Sequence, residues 1–147
     1  MTRAATRGGS LAEVLVMMVL LGVLLLTAFP QLMVPAQIPA GLAARGVAAD
    51  LALARGLAIA SRGNYLVTFS PAAGPYTSYT VAPQGGTAGP DFPKTFRAGV
   101  TVTGTQQVTF TPNGAASPSA TVTFTSGAAT ASVSVTAATG FVQVTGP

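Results

Sequence analysis

One segment near the N-terminus constrains this chain more than any other. From residue 14 to residue 29 there is no charged side chain, and nearly every residue is Val, Leu, Met or Phe. Counted from Leu11, the run approaches the ~20 residues with which a helix crosses a bilayer. Arg3 and Arg7 precede it and predict a cytoplasmic N-terminus. The rest of the chain is then expected on the other side of the membrane.

A cleaved secretory signal is the competing interpretation. Such a signal has a shorter apolar core, followed by a small-residue cleavage site. The stretch "LTAFPQ" that ends this core is a poor match to such a site, so we favour a retained anchor. Neither interpretation explains Glu13, which lies three residues into the apolar segment. Acidic residues in membrane segments are functional candidates by default, although one near the end can simply reach the headgroups.

The stretch "GGSLAEVLV" resembles the class III signal of type IV prepilins and pseudopilins. That signal has a short basic leader, a glycine at the cut, then an aromatic residue, Thr, Leu, a variable residue and Glu before a long apolar helix. Aligned on the acid, the cut falls between Gly8 and Gly9, and Glu13 is fifth after it. Ser10 stands where Thr is usual, and Gly9 replaces the usual Phe. A cut after Gly9 would put Glu13 out of register.

This resemblance implies a leader over residues 1–8 that prepilin peptidase removes, with Gly9 N-methylated by the same enzyme. Residues 9–34 would form a transmembrane and assembly helix in the bacterial inner membrane, contacting lipid and, later, other pilin or pseudopilin subunits. The cut precedes the apolar run, so the anchor is retained. Glu13 would then pair with the new amine of a neighbouring subunit and set the register of the fibre, because a buried carboxylate without a partner is costly.

Three prolines follow the apolar run, at Pro30, Pro35 and Pro39. Pro30 is the twenty-second residue after the predicted cut, where many pilins carry a helix-kinking proline. Proline inside a helix removes a hydrogen-bond donor and clashes with the preceding turn. We therefore expect a kink at Pro30 and a kinked region or plain linker over residues 35–42.

The sequence of the remaining residues, 43–147, predicts an α+β head in which one helix is followed only by strands. Apolar residues recur at helical spacing through residues 43–62, at Ala43, Val47, Leu51, Ala54 and Ala58, flanked by Leu53 and Leu57. Period-two alternation of Val, Phe and Tyr with Thr and Ser then predicts six or seven short antiparallel strands over residues 64–147. The helix stripe is expected to pack on one face of the sheet.

Three further stretches resemble the GspH/FimT branch of these proteins. "LALARGLAIASRGNYLVTFSP" is similar to the branch's helix end and first strand, with Arg55 among the matching residues. "VTFTPNGAASPSATVTF" is similar to its F-x-x-x-G hairpin, and the segment 139–142 to its closing strand. The resemblance implies a minor pseudopilin or pilin of a type II secretion pseudopilus or a type IV pilus.

The sequence offers little material for catalysis. There is no histidine or cysteine, and the acids are only Glu13, Asp50 and Asp91. Asp50 is expected to be solvated or near Arg45 or Arg55, and Asp91 to lie beside Lys94. We therefore predict no enzymatic activity, no cofactor and no metal site.

DNA capture, as in some FimT-like members, is the alternative function. Phosphate contacts require an exposed cluster of basic residues. The closing strand "GFVQVTGP" carries no charge. The cluster would have to form from Arg62, Lys94 and Arg97, so DNA binding is the less favoured hypothesis.

Overall fold

The structure, a computed structural model, describes residues 11–28 and 37–147. The predicted leader with Gly8 and Gly9, and the predicted kink at Pro30, lie outside the described residues. The chain divides into two compact units, Met1–Val34 and Pro35–Pro147. The second unit is called the head below.

The first unit contains helix α1, Leu11–Ala28. Its large apolar side chains from Leu11 to Leu21 are all exposed by more than half, from 53% at Val14 to 87% at Leu11. Glu13 lies in the first helical turn, where a negative charge is favoured by the helix dipole. Among the described helices, none combines the length and the hydropathy that crossing a membrane requires.

The head begins with helix α2, Gln37–Ser61, which starts earlier than the predicted residue 43. Pro39 therefore lies within the first helical turn rather than in a linker. Proline is tolerated there because the N–H groups of the first turn have no intrahelical acceptor. The helix ends at Ser61, one residue before the predicted end at residue 62. Arg62, with a φ of 53°, takes the left-handed conformation that terminates the helix.

Nine β-strands follow α2 in the head, and their pairing is antiparallel throughout. They are β1 Tyr65–Ser70, β2 Ser78–Pro83, β3 Lys94–Thr95, β4 Thr101–Gly104, β5 Gln107–Phe110, β6 Ala116–Ser117, β7 Ala120–Ser126, β8 Ala129–Val135 and β9 Val142–Thr145. Seven of these strands have four or more residues, in agreement with the six or seven predicted. The two-residue strands β3 and β6 were not predicted, because alternation cannot be recognised over two residues.

The strands form two sheets rather than one. The first has the order β3-β2-β1-β5-β6 and the second the order β4-β7-β8-β9. One stripe of α2 is buried against strands of both sheets. The stripe comprises Ala40, Ala44, Val47, Leu51, Ala54 and Ala58. Packing of the helix on the strands is therefore confirmed, but Leu53 and Leu57 were wrongly assigned to this side, since they are 48% and 36% exposed.

Aromatic side chains join the two sheets. The Phe96 ring, in the loop after β3, stacks on Tyr79 of β2 at a centroid distance of 5.3 Å. The same ring meets Phe124 of β7 edge-on at 6.0 Å. Tyr76 makes a second link, because its hydroxyl donates to the Gly104 carbonyl of β4 at 2.6 Å. The segment after β3, which contains Phe96, and the segment between β1 and β2, which contains Tyr76, are thus both held against the second sheet.

Candidate functional site

A buried carboxylate on α2 organises one side of the head. Asp50 is 7% exposed. The Lys94 ammonium donates to Asp50 Oδ1 at 2.8 Å and to Oδ2 at 2.7 Å. The Tyr79 hydroxyl donates to the same Oδ2 at 2.5 Å. The carboxylate therefore ties the helix to both β2 and β3, and its desolvation is offset by three charge-assisted hydrogen bonds.

The environment of Tyr79 keeps its hydroxyl protonated. Burial raises the pKa of Tyr79 well above its ordinary value, and the hydrogen bond and negative charge of Asp50 raise it further. Tyr79 can therefore act only as a donor to Asp50 at physiological pH. Lys94 also lies 5.0 Å from the centroid of the Phe92 ring, so the aromatic face covers the ammonium.

The expected surroundings of Asp50 were wrong. Asp50 is buried and pairs with Lys94, and not with Arg45 or Arg55. The reason is the β2–β3 register, in which Lys94 is directly opposite Tyr79. That register could not be read from a two-residue strand. A signal for the burial of Asp50 did exist, because residue 50 has helical spacing from both Val47 and Ala54 of the buried stripe.

Next to this cluster lies an open groove of about 600 Å³. One wall is the N-terminal half of α2, with Leu42, Ala43 and Gly46, and the other is the segment 93–97 containing β3. Tyr79 and Val47 form part of the lining. Lys94 and the exposed Arg97 bring two basic side chains to it. The groove is therefore apolar along its helix wall and basic along its strand wall.

The three candidate DNA contacts do not lie together. Lys94 and Arg97 both line the groove, but the charge of Lys94 is compensated by Asp50. Arg62 follows the last residue of α2, about 18 Å along the helix axis from Asp50 at roughly 1.5 Å per residue. No observation in the described residues favours DNA binding.

Arg55 connects the middle of α2 to two turns of the sheets. Its Nε donates to the Gly114 carbonyl at 3.0 Å, in the turn between β5 and β6. Gly140, in the turn between β8 and β9, lies against the same carbonyl and the Arg55 side chain. Both glycines have positive φ, 83° at Gly114 and 59° at Gly140. A Cβ at Gly140 would collide with the Gly114 oxygen, so close backbone approach explains the glycine here.

The positions of the predicted assembly residues follow from the described ranges. Glu13 is exposed in the first turn of α1. Gly8, Gly9 and Pro30 fall outside the described residues. Within residues 11–28 and 37–147 no group of three or more His, Cys, Asp or Glu side chains is close enough to hold a metal ion.

Three residues from the stretches that resemble the GspH/FimT branch thus meet at one point of the structure. They are Arg55, Gly114 and Gly140. A family model described as "Type II transport protein GspH" matches residues 43–140, which is more than half of the chain. The chain belongs to the GspH family. The matched range runs from the first turns of α2 to Gly140, so it contains the Asp50 cluster, the groove and the Arg55 contacts.

Solved structures share the fold of this GspH-family chain. The minor pseudopilin EpsH from the type 2 secretion system of Vibrio cholerae superposes with a TM-score of 0.62 at 14% identity, covering 74% of this chain and 98% of that one. The type IV minor pilin FimU of Pseudomonas aeruginosa strain PAO1 gives a TM-score of 0.58 at 20% identity, covering 72% and 87%. No curated protein matches the sequence.

Proposed function

We propose that this GspH-family protein is a minor pseudopilin or pilin subunit, a structural component of a type II secretion pseudopilus or a type IV pilus. It is inserted in the bacterial inner membrane with its N-terminus in the cytoplasm and its head in the periplasm. Prepilin peptidase cuts between Gly8 and Gly9 and methylates the Gly9 amine. The subunit then enters a fibre with other pilin-like subunits through its N-terminal helix.

The surface of α1 is the observation that carries this proposal. Its large apolar side chains between Leu11 and Leu21 are more than half exposed in the single chain. At about 25 cal/mol per Å² of apolar surface, leaving such a helix in water is strongly unfavourable. Lipid before assembly, and the helices of other subunits afterwards, would remove this surface from water.

Glu13 gives the proposed assembly its register. A carboxylate within an apolar helix needs a cationic partner when neighbouring helices exclude water. Cleavage after Gly8 would create an α-amine one helical turn before Glu13, at the same depth in a bundle of helices. Pairing of Glu13 with the amine of a neighbouring subunit would be lost on any axial slip. The pair would therefore select one stagger between subunits.

The head supports a structural role rather than catalysis. Its two carboxylates are Asp91, which is exposed in a loop, and Asp50, which is held by Lys94 and Tyr79. An acid held by three hydrogen bonds in this way links three elements of the fold. The head would thus present surfaces to neighbours without changing them chemically.

The test replaces Glu13 with Val and measures incorporation into fibres. The variant should insert in the membrane at the level of the unchanged protein, because it lacks only a charge, but it should be depleted from sheared or crosslinked fibres at least tenfold. Asp91→Val, which removes an exposed acid in the head, is the matched control and should assemble normally. Normal incorporation of Glu13→Val would contradict the proposal.

A further inference from the structure

The groove between α2 and the β3 segment has features that the assembly of α1 does not use. We propose that it binds an extended, acidic peptide segment of another polypeptide. The peptide would lie along β3, place its apolar side chains against α2 and direct a carboxylate to Arg97.

The first argument is the free edge of β3. This strand ends the five-stranded sheet, so only one of its sides is paired, with β2. The Phe96 amide donates to the Thr77 carbonyl at 2.9 Å, on the β2 side. Because N–H directions alternate along a strand, the N–H and C=O of Thr95 face away from β2. An extended peptide can pair with these two groups by strand addition.

The second argument is the course of the groove. Five consecutive residues, 93–97, line it, and the two residues of β3 lie among them. The groove therefore runs along the β3 segment. A peptide of six residues, about 20 Å when extended, would reach from one end of this segment to the other.

The third argument is charge complementarity. In the described residues the ion pair of the head is Lys94 with Asp50, and Arg97 is exposed with no acidic partner. The charge of Lys94 is compensated by Asp50, so Arg97 is the cation of this rim that a peptide carboxylate would meet. On the opposite wall Leu42 is 58% exposed and offers apolar contact. A peptide with a carboxylate beside an apolar residue satisfies both walls.

Binding of this peptide does not depend on fibre assembly, so it is measured on the unassembled full chain in nonionic detergent micelles. The probe is a fluorescein-labelled, acetylated and amidated hexapeptide, STLEVT, followed by fluorescence anisotropy. Its partner STLQVT replaces the acid with an amide. We expect STLEVT to bind about 3–5-fold more tightly than STLQVT, the range of an exposed ion pair.

Arg97→Gln should abolish the difference between the two peptides and weaken STLEVT by the same factor. The matched control is Arg62→Gln, which removes one exposed cation outside the groove and should leave both affinities unchanged. Leu42→Ser should weaken both peptides equally. Equal affinity for the two peptides, an equal loss in Arg62→Gln, or no binding up to 1 mM peptide would overturn the proposal. Self-association that rises with protein concentration and that the peptide does not reverse would indicate that the groove is an interface between copies of this chain. That result would also overturn the proposal.

Discussion

Replacing Asp50 with Ala tests the central polar contact of the head. The substitution removes three hydrogen bonds to a charged acceptor. Lys94 can be solvated afterwards because its side chain is 41% exposed, so the loss of that pair costs only about 1 kcal/mol. The Tyr79 hydroxyl, on a residue 5% exposed, loses its acceptor, which costs about 1–3 kcal/mol more. We expect a loss of about 2–4 kcal/mol in the free energy of unfolding.

At roughly 4 °C per kcal/mol for a domain of this size, the melting temperature should fall by about 8–16 °C. The assay is thermal unfolding of the full chain in micelles, followed by near-ultraviolet circular dichroism of the tyrosines. Asp91→Ala is the control and should change the free energy by less than about 0.5 kcal/mol, since Asp91 is an exposed loop residue.

A double-mutant cycle with Tyr79→Phe makes the reasoning refutable. In the unchanged protein Tyr79→Phe loses a hydrogen bond to a carboxylate and should cost about 1.5–3 kcal/mol. In the Asp50→Ala background the hydroxyl has no acceptor, so the same substitution should cost nothing or be stabilising. An equal cost in both backgrounds would show that Tyr79 and Asp50 are not coupled.

Three further predictions test other features of the head. Gly140 has a φ of 59° and lies against a backbone carbonyl, so Gly140→Ala should lower the free energy of unfolding by about 2–4 kcal/mol in chemical denaturation. The control, Gly56→Ala on the open face of α2, should raise it by about 0.5–1 kcal/mol. A gain in stability at residue 140 would refute the packing argument. Phe96→Ala should lower the free energy of unfolding by about 2 kcal/mol, because the ring joins both sheets. Phe141→Ala should lower it by less than about 0.5 kcal/mol, since the Phe141 side chain is 59% exposed. Equal losses would contradict the sheet-joining role of Phe96. Because the pKa of Tyr79 is raised in the folded protein, its contribution to stability is complete below the unfolded pKa of about 10 and falls as the pH rises above that value. Above that pH, the free energy of unfolding should therefore depend less steeply on pH in Tyr79→Phe than in the unchanged protein. Identical slopes would count against the raised pKa.

The sequence predicted the order of helix and strands because its hydrophobic periods are unambiguous. Val67 and Phe69, like Val133 and Val135, alternate with polar residues and are buried in the structure. The division into two sheets could not be predicted, because period-two alternation marks which face is buried and not which strands are neighbours. Similarly, Pro39 suggested a break in the chain, although the first helical turn accommodates it.

The candidate site was predicted less well than the fold. Asp50 was expected to be solvated or near Arg45 or Arg55, because acids are rarely buried without a partner. Its partners, Lys94 and Tyr79, lie on strands and are 44 and 29 residues away in sequence, so no local sequence pattern predicts these contacts. By contrast, the hairpin glycine at Gly114 was identified through a resemblance, and the structure supplies the physical reason for it in its positive φ and its contact with Arg55.

Mass spectrometry of the protein extracted from bacterial membranes tests the central claim most directly. The account predicts a mature chain that begins at Gly9, carries one added methyl group on its α-amine and retains the apolar segment through Phe29. An intact chain starting at Met1, or a chain cut beyond Phe29, would contradict it.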